Sequence, residues 1–175
     1  RWLQEHAKKQ NFAATEVQIS ETETPLHRLE TVYRRLMERL STANTLNGAF
    51  RSIVDSWFYT LEEDLLASGE VDAQNQEALL KKTNELMERR LQEVSRQAPA
   101  FAAALRGYRK AIAANETAVA EGLLAWLAGQ PNVAAGVKRF AGIKGDVDHF
   151  GAMNFLQGLL LMLRDSGHPG LVLCL

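Results

Sequence analysis

The sequence predicts a predominantly α-helical chain of α/β type, with two parallel core strands linked by a long helical insertion. Three observations predict it. The final residues, Leu171-Val172-Leu173-Cys174-Leu175, make a continuous apolar run of the kind found in parallel strands buried on both faces. Near the other end, Thr15, Val17 and Ile19 alternate with polar neighbours, which is the period of a strand. Between the two, apolar residues recur every three or four positions, which is the period of helices. Parallel strands require a crossover connection of right-handed sense, and here that connection is expected to be helical.

The elements follow in order. Arg1 to Gln10 reads as the tail of a helix already under way, without a capping residue before it. Ala13 to Ser20 is the first strand. Glu21-Thr22-Glu23-Thr24-Pro25 is a polar turn in which Thr24 suits an N-cap and Pro25 the first helical position, so a helix is expected from there to about Ser41, with Leu29, Val32, Tyr33, Leu36 and Leu40 inward. Phe50, Ile53, Val54, Trp57, Phe58, Leu61 and Leu65 form one apolar stripe of a helix that Ser68-Gly69 ends. Asp72 is expected to cap a third long helix, whose buried face runs through Leu79, Thr83, Leu86, Met87 and Val94. Pro99 opens a helix presenting Phe101, Leu105, Tyr108 and Ile112, and Asn115 breaks it. A short helix with Val119, Leu123, Leu124 and Leu127 is closed by Gly129 and Pro131. Val133 to Phe140 is a further short helix, followed by a Gly142–Gly145 loop. Asp146 or Asp148 caps the last helix, which is apolar almost all round from Phe155 to Leu163 and is therefore expected to be covered on more than one side. Gly167-His168-Pro169-Gly170 turns into the terminal strand. No second copy of any helical pair recurs at a fixed period, which excludes an extended solenoid.

Charge is balanced, with 20 Lys and Arg against 21 Asp and Glu, and this speaks against a surface devoted to phosphate backbones or anionic lipid. The one cysteine, Cys174, lies within the terminal apolar run and reads as a small buried hydrophobe; a reducing cytoplasm fits it. The apolar stretch from Phe150 to Leu163 is interrupted by Gly151, Asn154, Gln157 and Gly158 and falls short of the ~20 residues that a bilayer span requires, so no membrane partner is expected.

Few constellations carry chemistry. The Gly142-Ile143-Lys144-Gly145 segment lacks both a preceding strand and the Ser or Thr of a phosphate loop. No Cys/His pattern has zinc spacing. Asp146-Val147-Asp148-His149 is the one tight acid–His cluster, and helix capping accounts for it. Glu21 and Glu23 follow the carboxyl end of the first strand, where α/β proteins place functional side chains, and are candidates for sensing a nucleotide. The clusters at Arg34-Arg35, Arg39, Arg89-Arg90 and Arg106-Arg109-Lys110 are interleaved with acids and read as solvated helix faces. Lys138, Arg139 and Lys144 are the least neutralised locally and are candidates for contacting nucleic acid or phosphate. Trp57 and Trp126 fall on helical faces and read as core.

Three segments carry a family resemblance: Ser20 to Glu30, Lys144 to Ala152, and Leu163 to Leu173. Together they resemble the P-loop ATP-binding proteins of bacterial BREX phage-defence systems, the BrxD-like family. The resemblance implies a P-loop NTPase core in which the terminal strand is the Walker B strand. The phosphate loop would lie before Arg1, and the Mg²⁺-coordinating and water-activating acids would follow Leu175. On that reading the chain is an internal fragment: residues 1–24 are a partial core of helix tail and strand, 25–145 the helical insertion, and 146–175 the buried helix and Walker B-like strand. ATP and Mg²⁺ are then cofactors of the parent protein, and none is expected to bind this fragment. Phosphoryl transfer needs a backbone cradle, a Lys, Mg²⁺ and a positioned water, so the fragment alone is expected to hydrolyse no ATP. Its expected partners are other phage-defence proteins or a second copy of itself, because a two-stranded sheet leaves edges bare; DNA is a further partner open to the parent. The alternative is a self-contained helical protein-interaction module whose short strands merely close the fold. A nucleic-acid-binding helical domain is a third reading, against which the neutral composition speaks.

Overall fold

The computed structural model describes residues 2–175; Arg1, which the sequence places in the first helix, lies outside the described residues. The architecture is mostly helical, with a two-stranded parallel sheet among the described residues. Helix α1 (Trp2–Lys9) leads through a turn at Asn11 into β1 (Ala13–Glu16). β1 pairs in parallel with β2 (Leu171–Cys174), Ala13 opposite Leu171 and Glu16 opposite Cys174. The first residues of the chain therefore meet the last across a wholly helical connection, as the crossover argument requires.

β1 is the inner strand. Ala13, Ala14, Thr15 and Val17 are buried, and its far edge is closed by Ser41, which exchanges two backbone hydrogen bonds with Ala14 at 2.8 Å each. β2 departs from expectation. Instead of being covered on both faces it is half-buried, with Leu173 42% exposed and Cys174 of intermediate accessibility. β1 is its one strand neighbour, and its second edge pairs with no strand among the described residues.

The helical block runs α2 (Leu29–Glu38), α3 (Phe50–Ser68), α4 (Gln76–Arg90), α5 (Gln92–Gln97), α6 (Pro99–Ala113), α7 (Thr117–Leu127), α8 (Ala135–Ala141) and α9 (His149–Asp165). All seven residues of the expected α3 stripe are buried, and Gly69 ends the helix in the left-handed conformation that glycine adopts without strain. Pro99 occupies the first turn of α6, where Phe101, Leu105 and Tyr108 are buried but Ile112 is exposed. α6 packs closely on α7, and α8 caps both.

Several starts and stops differ from the sequence reading: β1 ends at Glu16 rather than Ser20, α2 ends at Glu38 rather than near Ser41, and α8 runs Ala135–Ala141 rather than Val133 to Phe140. α2 begins at Leu29 rather than after Thr24, because the Ser20 hydroxyl oxygen accepts from the backbone N–H groups of Glu23 and Thr24 and folds those residues into a turn. Asp72 likewise accepts from Gln74 N–H in a local turn and leaves Asn75 to cap α4. The third long helix is two helices, α4 and α5, broken at the buried Leu91.

α9 is the central packing element. Its Phe155 ring is surrounded by Tyr33, Phe101 and Trp126 at centroid distances of 6.1, 4.9 and 5.4 Å. Gly158 brings the helix close to Phe101: a Cβ there would stand 2.5 Å from the ring. The helix lies against α2, α3 and α5, and Phe101 of α6 and Trp126 of α7 also pack on its Phe155, while Leu160 is left 40% exposed.

Candidate functional site

The carboxyl ends of two adjacent parallel strands point the same way, and the segment leaving β1 there builds a cleft. Val17 N–H donates to Cys174 O at 2.9 Å as the last rung of the ladder. The chain then turns through Ser20 to Thr24, held by the two bonds to the Ser20 hydroxyl and by a bridge between Ser20 and Thr24. Between this turn and the last turn of α2 lies a cavity of about 250 Å³, lined by Ser20, Thr22, Glu23, Thr24, Arg35 and Arg39 among others. Of the two acids singled out by the sequence, Glu23 lines the cavity, and Glu21 is exposed on the same turn.

The two arginines come from the carboxyl-terminal turn of α2, where cations are favoured by the partial negative charge of the helix end. Arg35 is paired with Glu38 at 2.9 Å. Burial raises the Glu38 pKa, but the hydrogen bonds from Gln130 and Arg35 outweigh that and hold its carboxyl below the usual range. Arg39 has no carboxylate partner within 4.0 Å among the described residues. The sequence reading set Arg35 and Arg39 among solvated helix faces and so missed them as cleft residues. The signal available was their position: they are two basic residues one helical turn apart with a single acid, Glu38, between them, on the helix that follows the strand's carboxyl end.

The second set of candidates lies elsewhere. Lys138 is not the free cation its sequence neighbours suggest: its Nζ donates to Gly145 O at 3.3 Å and pairs with Asp146 at 3.1 Å. The same bond from Lys138 holds the Asp146 carboxyl below its ordinary value, helped by the Asn132 N–H. Arg139 and Lys144 are exposed. Lys144 borders a separate cavity of about 290 Å³ between the amino end of α9 and the start of α6. Asp148 caps α9, its Oδ1 accepting from Gly151 N–H at 2.6 Å, and the His149 Nδ1 stands 4.0 Å from Glu30. The acid–His cluster thus splits into a cap, a loop tie and a loose pair. Among the described residues no three His, Cys, Asp or Glu side chains gather into a group able to hold a metal ion. No helix among them is long and apolar enough to cross a membrane.

Trp57 and Trp126 are buried, each with its indole N–H satisfied, by Asp165 at 3.1 Å and by Gly145 O at 3.0 Å, as core residues should be.

A family model described as BREX system ATP-binding protein BrxC/D matches residues 1–175. The chain belongs to that family. No curated protein and no solved structure matches it. Membership makes the chain a member of a BREX-system ATP-binding family, and it gives the cleft at the end of β1 its interest. In this chain that cleft is where two parallel strands deliver their carboxyl ends beside Arg39, which has no carboxylate partner among the described residues.

Proposed function

We propose that this chain is the part of a BREX phage-defence ATPase that flanks the nucleotide site without completing it. It supplies two neighbouring strands of a P-loop NTPase core and the helical insertion between them. The family match over residues 1–175 carries this reading. The parallel pairing of β1 with β2 across a helical connection supports it, because nucleotide-binding α/β cores are built from such crossovers. Residues 1–24 and 146–175 then belong to the core and 25–145 to the insertion.

The residues present do not by themselves fit ATP with Mg²⁺. They include no Gly-x-x-x-x-Gly-Lys-Ser/Thr loop, and among the described residues no acids cluster as metal ligands. No step of hydrolysis is therefore assigned to them. Their part is positional: β2 carries the register on which the Walker B acids of the parent protein would follow, and Glu21 and Glu23 stand at the matching end of β1, where they would respond to nucleotide state. Other BREX proteins are the partners this role implies.

The test compares the 175-residue chain with the longer product of the same reading frame. The longer protein is expected to bind Mg–ATP at micromolar concentration and to hydrolyse it. Glu23→Gln is expected to alter hydrolysis while leaving that binding intact. The 175-residue chain is expected to show no turnover. Sustained hydrolysis by the purified short chain, or a longer protein that does not bind Mg–ATP, would overturn the reading.

A further inference from the structure

The cleft at the carboxyl end of β1 is lined by one unpaired cation and one unpaired carboxylate. Arg35 is neutralised by Glu38. Among the described residues Arg39 has no acid within 4.0 Å and Glu23 has no base, although both line the same cavity of about 250 Å³. The remaining polar lining is neutral, from the hydroxyls of Ser20, Thr22 and Thr24. Because the Ser20 oxygen accepts twice from the backbone, its proton is left to donate outward. The α2 carboxyl end disfavours an anion, so any anion held here must be held by the guanidinium itself. Opposite charges that share a cavity without meeting complement a ligand that carries both an anionic group and hydrogen-bond donors.

We propose that this cleft binds a phosphate ester whose organic part carries donors, the chemistry of a mononucleotide. Arg39 takes the phosphate in a charge-assisted, two-point contact. Ser20 and Thr22 donate to its remaining oxygens, and Glu23 accepts from a sugar hydroxyl or a base amino group. The cavity is smaller than the ~300–1,000 Å³ of sites for drug-sized ligands, so it holds the phosphate and part of the sugar, and affinity is modest. The inference rests on the nucleotide reading above only for the choice of a nucleotide among phosphate esters.

The experiment is an NMR titration of the isotope-labelled 175-residue chain with AMP and, separately, with inorganic phosphate at constant ionic strength. AMP is expected to give saturable shifts confined to residues 17–24 and the end of α2. Arg39→Ala is expected to weaken AMP about tenfold, the loss of one charge-assisted contact, and Arg39→Lys to recover part of it. Because Arg39 is exposed, an unchanged spectrum elsewhere shows that either variant is folded. Glu23→Gln is expected to act with opposite signs, weakening AMP and tightening inorganic phosphate, because it leaves a neutral amide oxygen in place of a charged acceptor and removes a repelling charge. Shifts that do not saturate, equal AMP affinity in Arg39→Ala, or shifts centred on Arg139 and Lys144 would overturn the proposal. So would a Glu23→Gln variant that binds both probes as the parent does. This titration needs no Walker motif. If it succeeds while the longer protein does not bind Mg–ATP, the ATPase reading falls and the cleft remains; the converse result removes the cleft alone.

Discussion

Two glycines in helices stand in opposite environments, and the same substitution should therefore have opposite effects. At Gly136 in α8 an added Cβ meets nothing within 4 Å. Gly136→Ala gains helix propensity at no steric cost and should stabilise the protein by ~0.5–1 kcal/mol in urea unfolding. At Gly158 in α9 the Cβ would stand 2.5 and 2.6 Å from two Phe101 ring atoms, and that ring is itself held edge-on against Phe155. Overpacking costs about 1–3 kcal/mol, so Gly158→Ala should be destabilising despite the propensity gain; a stabilised Gly158→Ala would show that the Phe101 ring can move aside. Asp165 is the third residue of note. Its Oδ2 accepts from Trp57 Nε1 at 3.1 Å and from Arg90 at 3.2 Å, and Arg90 also reaches Asp64. Asp165→Ala strands a buried indole N–H and should lose roughly 1.5–3 kcal/mol, with Asp165→Asn recovering part of it. Arg90→Ala, whose guanidinium is more exposed, should lose less than Asp165→Ala in the same assay.

Elements were legible where one periodic signal dominated. α3 could be read residue by residue because seven apolar side chains at helical spacing leave no competing pattern. The two strands were legible as elements, and their parallel pairing followed from the crossover rule. Helix starts were less legible wherever a polar side chain had two local uses. Thr24 and Asp72 are good caps by type, but the Ser20 hydroxyl draws Thr24 into a turn and Asp72 accepts from Gln74, so the helices begin later. Asp148 had no such competitor and does cap α9. Its replacement by Ala should cost ~1 kcal/mol of stability, measured by chemical denaturation, with Asn nearly restoring it. The cleft was the least legible feature. Its one acid, Glu23, could be placed from its position after β1, whereas Arg35 and Arg39 enter it only because α2 folds back beside that turn, a tertiary fact that linear charge patterning does not contain. Lys138 fails in the other sense, since its partner Asp146 lies across a loop.

Across the whole molecule, the two buried tyrosines are expected to set the alkaline limit. Burial pushes the Tyr33 phenol far above its ordinary value, and burial together with its hydrogen bond to Asp55 does the same for Tyr108. Both phenols titrate near pH ~10 in the unfolded chain. Their contribution to stability is thus fully present below about pH 10 and is lost as pH climbs from there toward the folded values, because only the unfolded chain ionises in that interval. Helical circular dichroism should collapse in this range, with the phenolate absorbance of Tyr33 and Tyr108 rising in step. Exposed Tyr59, raised more modestly by its hydrogen bond to Glu63, should ionise while the fold persists. Independent ionisation of all three before the helices melt would contradict this. The pairing of Ala13 with Leu171 has a further consequence, in the order of events during synthesis. β1 leaves the ribosome before the whole helical block, and its partner strand is made only after that block. The helices between them have near neighbours to fold on, α3 with α4 and α6 with α7, and can consolidate while the chain is still growing. Until β2 emerges, β1 waits with one ladder edge open, and a nascent chain stalled before Gly170 would be mostly folded yet would display a bare strand edge to chaperones and to other unfinished copies.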